Sequence, residues 1–241
     1  MKNTSYISDK INRLPKGYIF TYTDFLPKVK NKESIIKALN RMAESGKISK
    51  FSKGKYYKPE ETPYGKLQPN NYEMVKDLLE ENGKISGYLT GYSIYNQLGL
   101  TTQVGNIIQI GKNNTRPTFK RGEYIISFIL QKNLIAKDNV FLLQILDSIK
   151  FIKKIPDTNI LSSFKRLIQI IAKLSEKEKV TIVRLALKYS PATRALLGAI
   201  LDEEGSKVLT KNLYESLNPI TTYKFPGIKN ILPSVNKWNI K

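Results

Sequence analysis

One short stretch of this chain carries side chains whose types and spacing suit phosphate and base recognition. In NKESIIKALNRMAESGKISKFSKGKYYKP, residues 31–59, Lys32, Ser34, Lys37, Asn40 and Arg41 recur at helical intervals, with Lys30 just ahead of them. Lys53 and Lys55 follow in a turn around Gly54. Lysine and arginine neutralise phosphates, while asparagine and arginine can contact adenine and guanine edges bidentately. The expected division places Ser34, Lys37, Asn40 and Arg41 toward base edges, and Lys53 and Lys55 on the backbone. Catalytic chemistry has little to work with. The chain contains 0 Cys and 0 His, which removes thiolate nucleophiles, cysteine-ligated zinc, the usual general base and the commonest metal ligand. No GxxxxGK[ST] or GxGxxG run is present. Asp202-Glu203-Glu204 is the densest acidic cluster, and beside Gly205 it reads as a solvated helix end and not as a Mg²⁺ site. The expectation is a binding protein, not an enzyme, with no cofactor and no metal.

The elements that must position these residues are legible in the same stretch. At about 100° per residue, Ile35, Leu39 and Met42 share one face with Ala38 beside them, and Glu33, Lys37, Asn40, Arg41 and Glu44 fan over the other side. Asn31 can cap this helix and Gly46 can end it. Ile48 to Phe51 and Tyr56 to Lys58 are β-prone runs joined by the turn Ser52-Lys53-Gly54-Lys55. Upstream, Ile7, Ile11 and Leu14 mark a helix stopped by Pro15-Lys16-Gly17, and Tyr18-Ile19-Phe20 forms a short strand. A second helix is expected from about Thr21, with Phe25 and Leu26 toward the core, before the turn Val29-Lys30-Asn31. This order is that of a winged helix-turn-helix, expected over residues 1–62. Residues 1–60 hold 14 Lys+Arg against 5 Asp+Glu, so they contribute +9 of the chain's +20. Such an excess in a small domain is an electrostatic footprint for nucleic acid. The competing reading is a solvated basic face on a domain that packs only against protein.

At 241 residues, 41% hydrophobic and 25% charged, the chain is long enough for two domains and ordinary in composition. No apolar run approaches the ~18 residues of a membrane span, and the start MKNTSYISDK lacks a signal-peptide core. A cytoplasmic protein without membrane association is expected. Pro59 to Gly65 reads as the linker, leaving a second domain over 66–241: mixed α/β over 66–135, mainly helical over 138–217, and a basic tail over 218–241. A helix is expected from Asn71 to Gly83 and another from Thr90 to Leu98, with strands at Asn106–Ile110 and Tyr124–Leu130. Between those strands, GKNNTRPTFKRG carries Lys112, Arg116, Lys120 and Arg121 without an acid; it reads either as solvated surface or as a contact for a phosphate or an acidic partner. Further helices run from about Phe141, from Leu161, from a Ser175/Glu178 capping box and from Ser190-Pro191. Arg194 lies in a small, apolar helix; it reads first as a structural arginine paired with a carboxylate or carbonyl, and second as a partner contact. The tail is either draped on the body by Tyr223, Phe225 and Trp238 or partly mobile. The fold class is α+β: a winged helix-turn-helix, then a mixed α/β section and a helical C-terminal region.

Four segments carry a family resemblance: LPKGYIFTYTDF, IIKALNRMAESGKISKFSKGKYYKP, GYLTGYSIYNQLGLTTQV with IQIGKN, and RLALKYSPATRALLGAIL. These resemble the AbiEi-type antitoxins of bacterial abortive-infection toxin–antitoxin systems, in particular relatives with a short winged helix in front, over residues 6 to about 204. The winged-helix segments are generic to many regulators, whereas TGYSIYNQLGLTTQ and PATRALLGA are more specific. The resemblance implies an N-terminal domain that binds an operator, expected as an inverted repeat, and represses its own operon. It implies a C-terminal domain that counteracts a nucleotidyltransferase-like toxin encoded next to it. The family is classed as type IV, so direct contact with the toxin stays open, and no catalytic residue is transferred. Two other functions stay open on the residues alone: a stand-alone winged-helix regulator, and an RNA-binding protein, to which the +11 on residues 61–241 is suited.

Overall fold

The computed structural model describes residues 3–205 and 207–241. The protein is α+β, and it divides into two compact units: one comprises the chain up to Asp77 together with Lys120–Glu123, the other Leu78–Phe119 and Tyr124–Lys241. This boundary lies beyond the linker expected at Pro59 to Gly65.

In the first unit, α1 (Asn3–Arg13) buries Ile7 and Ile11, and β1 (Ile19–Phe20) follows. The expected second helix is a single 3-10 turn, Tyr22–Phe25, held by a capping box in which Thr21 N donates to Asp24 Oδ2 at 2.7 Å. Pro27 explains the shortening, because it has no N–H to extend the ladder. The helix α2 (Lys32–Glu44) matches expectation: Asn31 Oδ1 accepts from Ser34 N at 3.0 Å, Gly46 takes φ +77°, and Ile35, Ala38, Leu39 and Met42 are buried. Next come β2 (Ser49–Ser52) and β3 (Lys55–Tyr57), in a three-stranded antiparallel sheet of order β1-β3-β2. The register shifts between Lys50 and Ser52. Phe20 anchors the core, edge-on to Phe25 at 5.9 Å and stacked on Tyr56 at 6.4 Å. The segment expected as a linker is instead a small hairpin, β4 (Glu60–Thr62) and β5 (Gly65–Leu67), leading to α3 (Asn71–Leu79). The first turns of α3 belong to this unit: Glu73 Oε2 accepts from Ile19 N at 3.3 Å, and Lys76 lies 5.5 Å from the Tyr18 ring centre.

The second unit starts with β6 (Glu80–Glu81) and β7 (Lys84–Ile85), where a helix to Gly83 was expected. Asn82 and Gly83, at φ +52° and +73°, form the two-residue reversal that ends it. A four-stranded sheet then forms from β8 (Gly87–Thr90), β9 (Ile107–Lys112), β10 (Phe119–Arg121) and β11 (Tyr124–Leu130), in the order β10-β11-β9-β8. Between β8 and β9, the expected helix 90–98 is a single turn, α4 (Tyr92–Tyr95), because Thr90 belongs to β8 and Gly91 breaks direction at φ +55°. A Cβ at Gly91 would lie 1.9 Å from Gln109 Oε1, which accepts Tyr92 N at 3.0 Å, so only glycine fits.

Among the described residues, five α-helices complete this unit: α5 (Val140–Lys150), α6 (Ile160–Ala172), α7 (Glu176–Ala186), α8 (Pro191–Glu203) and α9 (Lys207–Glu215). The Ser175/Glu178 capping box and the Ser190 cap with proline in the first turn form as expected. The tail is draped on the body. Trp238 is fully buried against Gly198, where a Cβ would stand 2.1 Å from the indole, and its Nε1 donates to Asp202 Oδ2 at 3.0 Å. Asp202 is therefore not the solvated carboxylate expected; it is buried and also accepts from Thr210 at 2.6 Å and Lys237 at 2.6 Å. Among the described residues, no helix is long and apolar enough to cross a membrane.

Candidate nucleic-acid interface

A cleft of about 580 Å³ opens between α2 and the β2–β3 hairpin. One side of α2 supplies Lys32, Ile36 and Asn40, spaced four residues apart and hence stacked along one stripe. The hairpin supplies Lys50, Phe51, Lys53 and Tyr56, and the 3-10 turn closes the end with Tyr22. Among the described residues, no carboxylate lines this cleft. Lys32 lies 4.8 Å from the Tyr22 ring centre, an exposed contact that an anion can displace. Phe51 sits at the register shift between Lys50 and Ser52, and a bulge of that kind re-aims a side chain.

The expected DNA-contacting residues divide four ways. Lys30, Lys32, Lys37, Arg41 and Lys53 are exposed. Ser34 is half-buried and its hydroxyl donates to the Asn31 carbonyl at 2.9 Å, so it serves the cap of α2. Asn40 turns toward the hairpin, where its Oδ1 accepts from Tyr56 OH at 2.7 Å. Bidentate adenine recognition would use that same oxygen. Lys55 departs from expectation more fully. Its ammonium pairs with Asp77 at 2.9 Å instead of projecting from the turn.

Asp77 also holds Arg121 bidentately, at 2.6 Å and 3.0 Å, while Arg121 donates to the Met74 carbonyl at 2.7 Å. Burial pushes the Asp77 carboxyl up, but the hydrogen bonds and charges of Arg121 and Lys55 outweigh it and hold it below the usual carboxylate range. The loop expected to lack an acid thus finds its acids elsewhere in the chain. Lys112 pairs with Glu81 at 3.0 Å. Arg116 stacks on Phe119 and Phe128, at 4.7 Å and 5.2 Å, and Lys120 is exposed. Arg194 is half-buried, and its Nε has no hydrogen-bond partner among the described residues, in place of the pairing expected there.

A buried polar centre that no motif announces lies in the second unit. Asp147, inside α5, accepts from Tyr88 OH at 2.7 Å, Thr90 Oγ1 at 2.7 Å and Tyr189 OH at 2.8 Å, and Gln131 Nε2 donates to both phenols at 2.8 Å. Burial raises the Asp147 pKa despite these donors and the nearby Lys150 charge. Burial, with the Asp147 charge, raises both phenols as well, which keeps them protonated and suits a clasp more than a reaction. The available signal was an acid in the apolar run FLLQILDSIK. For the cleft, the signal was Phe51, out of phase with the core residue Ile48.

Residues 6–183 match the model of a protein family described as a family of unknown function, DUF6088. The chain belongs to this family. No curated protein matches it. Among solved structures, the DUF6088 chain is similar to the RV2827C protein from Mycobacterium tuberculosis, at 13% identity and a TM-score of 0.58, covering 100% of this chain and 91% of that one. At that identity the likeness is one of fold alone.

Proposed function

We propose that this DUF6088 protein is a DNA-binding autorepressor whose first unit is a winged helix-turn-helix, α2 being the recognition helix and β2–β3 the wing. The observation that carries the reading is the carboxylate-free cleft, in which Lys32, Lys50 and Lys53 from two elements converge. A concave surface of one sign concentrates field and draws a polyanion. Lys37 and Arg41 extend the exposed cationic surface along α2. The resemblance to AbiEi-type antitoxins supports the second half of the proposal, that the second unit counteracts a nucleotidyltransferase-like toxin. It acts by binding, since the chain offers no thiol or imidazole and its buried phenols are held protonated.

The test pairs two measurements on the full chain. Anisotropy titrations with duplex DNA from upstream of its own reading frame should show binding that weakens steeply with salt and falls in Lys32→Ala and Lys53→Ala. Co-expression with the adjacent reading frame should relieve growth arrest. Affinity for upstream DNA no different from that of an acidic control protein would sink the first half; persistent arrest would sink the second.

A further inference from the structure

The cleft beside α2 has a feature that phosphate binding leaves unexplained: its lining is aromatic. Tyr22 and Phe51 are half-buried there, and Ile36 adds an apolar wall. A phosphate groove needs cations and donors, not rings. Cations with rings are what a nucleotide strand asks for, because each base has a π-face and each is flanked by phosphates. The two sides of α2 differ accordingly. Its outer side mixes Lys37 and Arg41 with the exposed acids Glu33 and Glu44, whereas the cleft side has no acid.

Two details give the cleft an orientation. The register shift in β2 places Phe51 in the cleft wall, and the phase change lets it leave the plain in–out alternation of the strand. Asn40 Oδ1 is engaged by Tyr56 OH, while its Nδ2 amino group has no protein acceptor among the described residues. A fixed donor beside apolar rings suits a planar ligand with a carbonyl edge. Thymine has two carbonyls and a methyl group that would meet Ile36.

Resting on the DNA-binding reading, we infer that this cleft takes one unstacked thymine of the bound DNA. The base lies against Phe51 and Tyr22, Asn40 Nδ2 donates to a base carbonyl, and Lys32 and Lys53 hold the phosphates on either side. Lys32 leaves the Tyr22 ring face to do so. Extruding a base from a duplex costs unstacking and unpairing, least where the base is already unpaired. A DNA with one unpaired thymine should therefore be the preferred ligand.

The test compares two probes of equal length and end structure, a perfect duplex and the same duplex with one extra thymine at its centre. Anisotropy with the full chain at fixed salt should favour the bulged probe about tenfold, the scale of one base–aromatic stack. Phe51→Leu, which keeps apolar bulk and removes the ring, should bring that ratio to about one, and Phe51→Tyr should restore it. Thermal melting of both variants checks that they fold. Equal affinity of the wild type for both probes overturns the inference while leaving duplex binding intact, as does a Phe51→Leu variant that keeps the full ratio. Tighter binding to the all-RNA version of the bulged probe also overturns it. Binding to neither DNA removes the DNA-binding reading and this inference together.

Discussion

Polar side chains are arranged in opposite ways in the two units. In the first, the cleft beside α2 gathers Lys32, Lys50 and Lys53 without a carboxylate, and Asn40 Nδ2 has no protein acceptor there. In the second, two carboxylates are inside: Asp147 holds Tyr88, Thr90 and Tyr189, and Asp202 holds Thr210, Lys237 and Trp238. A buried polar group must be satisfied by the fold itself, so it specifies structure. An unsatisfied cationic rim keeps its hydrogen-bonding capacity for a ligand. The contrast predicts that substitutions in the second unit act on stability and those around the cleft act on binding.

The largest effect should come from the tail anchor. Trp238 is fully buried on Gly198, so Trp238→Ala removes a large ring and one hydrogen bond to Asp202. Urea unfolding should show a loss of about 3–5 kcal/mol. DNA affinity at a temperature where the variant is folded should hold. A loss under ~1 kcal/mol would mean the indole is not packed as described.

Arg41→Ala should give the reverse pattern. Its side chain is exposed on α2, so unfolding should change by no more than about 0.5 kcal/mol. Affinity for upstream DNA should fall by ~1–3 kcal/mol and sequence preference should relax, if the guanidinium reads a guanine edge. Equal weakening on all duplexes would instead make Arg41 a phosphate contact.

The residues that escaped sequence reasoning explain why it reached only so far. Caps, helix faces and β11 follow local rules, and Asn31, Ser175, Ser190 and Tyr124–Leu130 behave as those rules require. The specific segments TGYSIYNQLG and PATRALLGA contain Gly91 and Gly198, which the fold needs for close approach of Gln109 and Trp238. That requirement comes from residues 18 and 40 positions away, which periodicity cannot register. Ion pairs are equally nonlocal: Lys55 and Arg121 both looked unopposed in their own loops, and both meet Asp77 on α3. Missed hairpins had a different cause. Asn82-Gly83 is a local turn signal that directly follows an apolar run of helical period.

Lys53 and Lys55, two residues apart, sharpen the comparison within one turn. Lys53 is exposed on the cleft rim, whereas Lys55 is paired with Asp77. Lys53→Ala should weaken all duplexes similarly and flatten the slope of log affinity against log salt by about one unit. Lys55→Ala should leave that slope unchanged and alter stability by less than ~1 kcal/mol, as a partly exposed pair does. If both flatten the slope equally, the Asp77 pair opens on DNA and the two lysines act together.

The smallest effect lies in the pH dependence of unfolding, where the buried acids should act with opposite signs. Burial raises the Asp147 pKa, so its contribution is complete below the unfolded carboxylate pKa and is lost as pH rises through its folded value. Tyr88, Thr90, Tyr189 and Lys150 oppose that rise, and burial outweighs them. Asp202 goes the other way: burial pushes it up, but Lys237, Thr210 and Trp238 hold it below the usual range. Its contribution is present at neutral pH and is lost only as acid reaches that lowered value. Urea midpoints measured from about pH 7 down to about pH 4 should thus shift in favour of the wild type relative to Asp147→Asn, since only the wild type gains from protonating residue 147. Asp202→Asn should show the converse: its deficit against the wild type stays constant over that range and closes only at lower pH. An Asp147→Asn deficit or surplus independent of pH would mean that Asp147 reaches solvent, and the clasp of the second unit would then be no more closed than the cleft of the first.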